Sequence, residues 1–178
     1  MNLEKLKYPI GKWSAPEVVD LDLIKKWIGD IAMLPSNLSD ILNRIEPIDY
    51  ELTYRPGSWT VRQLLHHIAD SHINAYIRHK LAVSEQTPTI NPYNEVLWAE
   101  MADVKEVDIK VSLNLLEAIH QRWTVFLNSL NQADLEKSFY HPGHKRFITI
   151  SESIGMYSWH GKHHLSHIKL ALDKPNIS

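Results

Sequence analysis

The segment Trp159–Ile168, WHGKHHLSHI, decides both the fold of this chain and the kind of site that the fold can hold. It carries four of the chain's eleven histidines within eight positions. Apolar residues recur in and around it at helical spacing, namely Ile154, Tyr157, Leu165, Ile168 and Leu172. Thr149, with Glu152 three residues later, forms a capping box that predicts where this helix starts.

The histidines of this segment divide between two faces of the predicted helix. A helical wheel gives a solvent side of Ser158, Lys162, Ser166 and Lys169, and an inward side of Ser153, Tyr157, His160, His164, Ile168 and Ala171. Positions four apart lie about 40° apart on a helix, so His160 and His164 point the same way. His167 also points inward, and His163 lies nearer one edge. A hydrogen-bonded pair of core histidines fits this pattern as well as a metal site does, because a transition metal normally needs a third ligand.

Length and composition describe one globular domain over residues 1–178. Hydrophobic residues make up 44% of the chain and charged residues 22%, and the net charge of −2 leaves no basic footprint for nucleic acid. The chain has no cysteine, which excludes disulfides, thiolate ligands and a cysteine nucleophile and fits a reducing cytoplasm. No apolar run approaches the ~20 residues of a transmembrane helix, and the first residues lack the apolar core of a signal peptide. We therefore expect a cytoplasmic protein without a membrane partner.

Three earlier segments have the apolar spacing of helices. After an irregular leader over residues 1–19, Asp20 caps the first helix, which Pro35 interrupts and which is therefore either one kinked helix or two short ones. The second helix runs from Ser58 to about Val83, and the third begins after a cap at Asp108. With the last helix, these segments predict an all-α protein, a four-helix bundle.

Two long connections join these helices. Residues 84–107 are loop-like, with a short helix from Glu95 to Met101, and a crossover of this length often carries function. Residues 131–148 are irregular, with a turn at His141–His144 that we interpret as a hairpin tip between two phenylalanines, Phe139 and Phe147. His141 and His144 are candidate ligands, although histidines in turns are more often only solvated.

The second helix has a polar stripe beside its apolar face, formed by Thr60, Gln63, His67, Asp70, Ser71, Asn74 and Arg78. The stripe is either a solvated face or the wall of a polar cavity, and the pattern alone favours the solvated face. Bundle cores often hold metals between facing helices, so a third ligand should come from another helix. The second helix offers His66 and His67, which lie about 100° apart, and we choose His67 because it belongs to the stripe. On the third helix, His120 and Arg122 are interpreted as ordinary helix residues.

The stretch Tyr54–His72, YRPGSWTVRQLLHHIADSH, resembles the second-helix motif of the DinB superfamily, in particular of its YfiT branch. In that motif a tryptophan is followed eight residues later by a metal-binding histidine and then by an aspartate, which Trp59, His67 and Asp70 match. The final helix of the family carries a histidine pair four residues apart, as the segment Tyr157–His164 does. The similarity covers nearly the whole chain and includes Tyr93, Trp98–Glu100, Arg122, Trp123, His141 and Pro142.

The resemblance implies a four-helix bundle that binds one divalent metal ion per chain through His67, His160 and His164, and it implies a homodimer. It also implies a metal-dependent hydrolase, whereas some relatives in the superfamily are S-transferases for low-molecular-weight thiols such as bacillithiol. Zn2+ is the ion that we expect first, because it suits histidine ligands and an open coordination position. Ni2+ or another first-row metal would also bind.

Three imidazoles leave coordination positions open, as in catalytic metal sites. Because the ligands are neutral, the ion can lower the pKa of a bound water from about 15.7 to about 7, or depress that of a bound thiol. Asp70, one turn beyond His67, is interpreted either as an orienting residue or proton acceptor, or as the partner in a structural hydrogen bond. Gln63, Asn74 and Arg78 are candidate residues for substrate contact. Trp59 and Trp159 are interpreted as residues that pack around the site.

Three functional hypotheses follow from these observations. The first is a metal-dependent hydrolase, and the second is a metal-dependent S-transferase that joins a low-molecular-weight thiol to an electrophile. The third is a non-catalytic helical module whose metal is structural or sensory. Each enzyme hypothesis takes a small-molecule substrate, which the sequence does not identify, and a nucleic-acid role has no basic recognition helix to support it.

Overall fold

Four long helices form the framework of the protein, which a computed structural model describes over residues 3–173. In chain order the elements are α1 (Leu3–Lys7), α2 (Leu21–Leu42), a 3-10 helix (Pro47–Glu51), α3 (Val61–Ser84), α4 (Glu95–Trp98), α5 (Ala102–Glu106), α6 (Ile109–Asn128), α7 (Gln132–Glu136), β1 (Ser138–His141), β2 (Arg146–Thr149) and α8 (Ile150–Leu172). Helices α2 and α3 each pack against both α6 and α8, which closes a four-helix bundle. The predicted fold class is confirmed. None of the helices described within residues 3–173 is both long and apolar enough to span a membrane.

Side-chain caps start the long helices. Asp20 accepts a hydrogen bond from the backbone N of Leu23 at 2.8 Å, as predicted. Helix α3 starts three residues later than its predicted start at Ser58, because Thr60 and Gln63 bond each other's backbone N in a complete capping box. Thr149 caps α8 as predicted. The side chain of Glu152, however, binds the guanidinium of Arg146 at 2.9 Å.

Helix α2 is a single helix that continues through Pro35, so the alternative of two short helices is wrong. Proline lacks a backbone N–H, and one in a helix interior costs about 3 kcal/mol. Burial of apolar residues on both sides offsets that cost, since Ile31, Leu34 and Leu38 are each at most 4% exposed.

The leader and the connections contain more structure than their sequence predicts. The leader was expected to be irregular, but its first described residues form α1, which buries Leu6. The short helix expected from Glu95 to Met101 ends at Trp98, and α5 follows it. The predicted hairpin is confirmed, with Phe139 opposite Ile148 and Tyr140 opposite Phe147.

A layer of histidines separates two apolar clusters along the bundle. One cluster is built around Trp27, Trp123 and Ile154, and the other around Leu38, Leu64 and Ile168. Between them, at mid-length of three long helices, the chain places His67, His72, His120, His160 and His164. Both apolar clusters exclude water, so this layer has a low dielectric environment on two sides.

Helix α8 approaches α2 closely beside this layer. At Gly161, a Cβ atom would lie only 2.7 Å from Cδ2 of Leu34, so the contact depends on glycine. Ser158, which was predicted to face solvent, is buried instead. Its hydroxyl donates to Oδ2 of Asp30 at 2.7 Å, and the ammonium of Lys162 binds the same oxygen at 2.5 Å. Part of the polar side of α8 therefore packs against α2 and does not face solvent.

Candidate metal centre

Three imidazoles from two helices converge in the histidine layer. His67 on α3 and both His160 and His164 on α8 each offer one nitrogen, and these three atoms lie within 4.8 Å of one another. Nε2 of His67 is 3.3 Å from Nε2 of His160. The neighbouring His66 points elsewhere, because its Nδ1 is 2.8 Å from the hydroxyl of Ser112 on α6. Of the two candidates on α3, only His67 joins the α8 pair.

A chain of hydrogen bonds fixes the ring of His160. Nδ1 of His160 is 3.1 Å from Nε2 of His72. Nδ1 of His72 is in turn 2.9 Å from Nε2 of His120, whose Nδ1 is 2.6 Å from the backbone oxygen of Ile31. A carbonyl oxygen can only accept a hydrogen bond, so His120 carries its proton on Nδ1 and its Nε2 accepts from Nδ1 of His72. By the same reasoning, Nε2 of His72 accepts from Nδ1 of His160. Nε2 of His160 is left with a free lone pair that faces His67. We call this chain the long relay.

Pro35 provides the oxygen that ends the long relay. In an α-helix the backbone oxygen of residue 31 would accept from the N–H of residue 35, four positions later. Pro35 has no N–H, so the oxygen of Ile31 lacks that donor and accepts from His120 instead.

A second chain of hydrogen bonds fixes the ring of His164. Nδ1 of His164 is 3.4 Å from Nδ1 of His167, and Nε2 of His167 is 3.1 Å from the backbone oxygen of Lys7 in α1. The same reasoning puts the proton of His164 on Nδ1 and leaves its Nε2 free. We call this chain the short relay. Histidine ligands of metals almost always donate their other ring N–H in this way.

The convergent histidines are held in the neutral form. Burial lowers the pKa of His67 to about 4 and holds the pKa values of His160 and His164 well below 6.5, because a desolvated imidazolium is poorly stabilised. Neutral imidazole is the form that binds a metal ion. Two buried Nε2 atoms that face each other at 3.3 Å need a proton or a cation between them, and the donor set is one that first-row metals accept. The residues present therefore fit a divalent metal.

A second group of histidines is equally close together but has fewer free nitrogens. His163, His164 and His167 each offer a nitrogen within 4.8 Å of the others. Both ring nitrogens of His167 and Nδ1 of His164 already serve the short relay. His163 stacks on Trp159, with ring centroids 4.4 Å apart. His167 therefore orients His164 for the first group, and the three residues do not form an independent metal site.

Comparison with known proteins places these residues in a family. The sequence profile of the DinB superfamily matches residues 31–168, which include all three convergent histidines. The chain belongs to the DinB superfamily. YfiT of Bacillus subtilis, named as a candidate metal-dependent hydrolase, is 41% identical over 168 residues, which are 94% of each chain. A candidate metal-dependent hydrolase of Oceanobacillus iheyensis is 46% identical over 162 residues, 91% of this chain and 93% of the relative.

Solved structures agree with this assignment. The structure of Bacillus subtilis YfiT, described as having an unusual four-helix bundle topology, matches with a TM-score of 0.89 and covers 93% of this chain and 94% of its own. A mycothiol-dependent maleylpyruvate isomerase matches with a TM-score of 0.65 at 18% identity, over 82% of this chain and 60% of its own. At that identity the likeness extends to the DinB fold alone.

Asp70 lies outside the group of convergent nitrogens in this DinB-superfamily chain. It is one turn beyond His67 on α3 and half-buried. Burial, followed by the charge of Asp103, raises the pKa of Asp70 to about 6. Its backbone oxygen accepts from the amide of Asn74 at 2.8 Å. A carboxyl group with this pKa exchanges protons near neutral pH, so its predicted part in proton transfer stays a prediction with physical support.

The polar stripe of α3 is not a solvated face. None of its seven residues is fully exposed, and His67, Ser71 and Arg78 are buried. Gln63 connects α3 to the long connection, with its amide 3.1 Å from the backbone oxygen of Ala99 and 2.8 Å from Oε1 of Glu100. The expected solvated face is therefore wrong, because the connection and the hairpin cover it.

A cavity of about 630 Å³ opens beside His160. Its lining combines polar residues of α3, α8, the long connection and the hairpin, among them Ser71, Arg78, Tyr93, His141, His144 and Tyr157. His141 and His144, the candidate ligands of the hairpin turn, lie at this cavity and outside the convergent group. Four residues at or beside the site, His72, His120, Tyr93 and Tyr157, were not among the site residues predicted from the sequence. The resemblance to the family included Tyr93 and Tyr157 without a role, and the two histidines looked like core or ordinary helix residues.

Proposed function

We propose that this DinB-superfamily chain is a metal-dependent hydrolase of small molecules, with one divalent metal held by His67, His160 and His164. The observation that carries the proposal is the convergence of three buried, neutral imidazoles from two helices beside a cavity large enough for a small molecule. A metal ion bound by three histidines keeps open coordination positions and supplies an electrophile that activates water. Zn2+ is the ion we favour, with Ni2+ as the alternative.

The protein's own groups have separate tasks in this proposal. The two relays hold the rings of His160 and His164 so that each presents Nε2, which avoids a reorganisation cost when the ion binds. The hydroxyls of Tyr93 and Tyr157, at the cavity, orient the substrate by hydrogen bonds. Asp70, one turn beyond His67 and ionised above pH 6, would serve as the acceptor of the proton that the attacking water gives up.

Metal content tests the ligand assignment directly. Purified protein, stripped with a chelator and reloaded with Zn2+, should hold one ion per chain, measured by elemental mass spectrometry after desalting. His67→Ala should lose stoichiometric metal, whereas His66→Ala, a change to the adjacent buried histidine that faces Ser112, should keep it. Equal metal content in the two variants would mean that the ligand assignment is wrong.

The reaction class is tested with and without thiol. A panel of activated esters and amides should be hydrolysed by the zinc-loaded protein, and hydrolysis should cease in His160→Ala. The distant fold relative is named for its dependence on mycothiol, so each assay is repeated with a low-molecular-weight thiol and an electrophile. Product that forms only with thiol would replace hydrolysis by S-transfer. Full metal content with no turnover in either assay would favour the non-catalytic module.

The homodimer expected from the family stays a prediction.

A further inference from the structure

Arg78 is a buried cation without a carboxylate partner. Its side chain lies on α3, eleven residues after His67, and is 9% exposed. The ion pairs found within residues 3–173 do not include it. Nη2 donates weakly to the backbone oxygen of Asn91 at 3.4 Å, and Nε is buried with no hydrogen-bond partner. A guanidinium in this state costs free energy, because charges taken out of water are normally paired.

The charge of Arg78 acts on the groups around it. After burial, it is the second cause that lowers the pKa of His79 to about 3. It also contributes, after burial and the charge of His144, to the lowering of the pKa of His141 to about 4. Neutral His141, which lines the cavity that Arg78 also lines, therefore does not compete with Arg78 for an anion.

The guanidinium and the metal ligands share one cavity. Arg78 and His160 both line it, with Tyr157 between them in contact with both: its ring is 5.7 Å from that of His160, and its hydroxyl is within hydrogen-bonding reach of Arg78. Glu95 also lines the cavity, but its side chain is exposed and does not pair with Arg78.

We propose that Arg78 binds a carboxylate of the substrate at one end of this cavity while the reacting group lies at the His160 end. This inference rests on the proposed function, since it takes the metal centre to be the reacting end. Guanidinium binds carboxylate through two parallel hydrogen bonds, which the partnerless Nε and the adjacent Nη2 can supply, since Nη2 otherwise makes only the 3.4 Å bond to Asn91. The Cα atoms of Arg78 and His67 are separated by about 16 Å along α3, so the carboxylate and the reacting group must be several bonds apart. The substrate class is thus a small organic acid whose scissile bond is distant from its carboxylate.

Matched inhibitors test the proposal by binding rather than by turnover. The probes are the monohydroxamates of succinic, glutaric and adipic acid, whose hydroxamate binds zinc, and their neutral partners in which an amide replaces the free carboxylate. Dissociation constants are measured by isothermal titration calorimetry on zinc-loaded protein. At least one chain length should bind 10-fold or more tightly as the carboxylate than as the amide. Equal binding at every length would overturn the proposal.

Three variants test whether a preference for the carboxylate over the amide depends on Arg78. Arg78→Met should reduce the preference to less than twofold, and Arg78→Lys should keep part of it as a point charge. Arg122→Met removes an exposed arginine outside the cavity and should leave the preference unchanged. A preference that persists in Arg78→Met, or that Arg122→Met removes equally, would contradict the assignment.

Two further measurements separate the possible failures. If neither a hydroxamate nor its amide partner binds, or if zinc is not retained, the metal centre itself fails and this inference fails with it. The melting temperature of metal-free Arg78→Met should equal or exceed that of wild type, because a buried unpaired charge is removed. A large decrease would assign Arg78 a structural role. If Arg78→Met does not fold, the wild-type comparison and Arg78→Lys still decide the outcome.

Discussion

The backbone oxygen of Ile31 accepts its hydrogen bond from Nδ1 of His120 at 2.6 Å, across the interface between α2 and α6. This bond exists because Pro35 supplies no N–H to that oxygen. A residue that weakens α2 thereby anchors the long relay, and the relay decides which nitrogen of His160 is free. The site is connected in this way to a backbone position on a helix that contributes none of its predicted ligands.

Loss of His120 should weaken metal binding without removing a ligand. In His120→Phe the ring of His72 loses its acceptor, so neither His72 nor His160 is held in one tautomer. Groups that orient metal ligands typically contribute about 10- to 100-fold to affinity, and we expect a weakening of zinc binding in that range. The measurement is competition with a chromophoric chelator. His66→Ala serves as the control, and equal affinities in the two variants would contradict the relay.

Replacement of Pro35 should change stability and metal affinity in opposite directions. Pro35→Ala restores an N–H that competes for the oxygen of Ile31 and removes the strain of proline within α2. The free energy of unfolding of the metal-free protein should rise, by at most about 3 kcal/mol, in urea titrations. Zinc affinity should fall several-fold in the chelator competition. A stabilised variant with unchanged zinc affinity would mean that Pro35 has no part in the relay.

The fold and the three convergent histidines were accessible from the sequence because both depend on short-range periodicity. His160 and His164 share one helical face, and His67 lies in a polar stripe next to an apolar one. The relays were not accessible, since they join residues of α2, α3, α6 and α8 that no local pattern connects. Pro35 looked like a helix breaker for the same reason: the partner that uses the freed oxygen, His120, is 89 positions away.

The burial of the polar stripe was also beyond local patterns. Whether a polar face is solvated depends on what covers it, and here the cover is the connection of residues 84–107 together with the hairpin. Gln63 reaches that connection through Glu100, which is 37 positions distant. The leader is a similar case, because the backbone oxygen of Lys7 completes the short relay only once α1 has docked against α8.

Acid should destabilise the metal-free protein as soon as the pH falls below 6.5. Burial lowers the pKa of His79 to about 3 and that of His120 to about 4, against 6.5 for the unfolded chain. Because the folded pKa values are depressed, this stabilisation is fully present above pH 6.5 and is lost as the pH falls toward 4. For His120 alone, a pKa lowered from 6.5 to about 4 corresponds to about 3 kcal/mol, a large part of the stability of a typical domain.

The urea midpoint of chelator-treated protein, measured from pH 8 to pH 4.5, should therefore fall steeply below pH 6.5. His79→Gln removes one of the titrating groups, whose ring is bonded to Ser153 and Trp123. The variant should be less stable at pH 8 but lose less stability on acidification. A midpoint that stays constant between pH 6.5 and pH 5 would contradict the assignment of these histidines as neutral.

Asp70 should have the opposite pH dependence. Its folded pKa is raised to about 6 from 3.8, first by burial and then by Asp103, so the folded state favours the protonated carboxyl. Its ionisation costs stability as the pH rises through 6, and the cost is absent below pH 4. Asp70→Asn should then be more stable than wild type at pH 8 by about 3 kcal/mol, with no difference at pH 4. Urea titrations of the metal-free proteins measure both values.

Asp103→Asn provides the control, because it keeps the Asp70 carboxyl but lowers its pKa. In that background, Asp70→Asn should increase the stability at pH 8 by less than it does in wild type. If Asp70→Asn instead destabilises the protein equally at both pH values, Asp70 is a structural hydrogen-bonding residue, and its proposed role as a proton acceptor loses its physical basis.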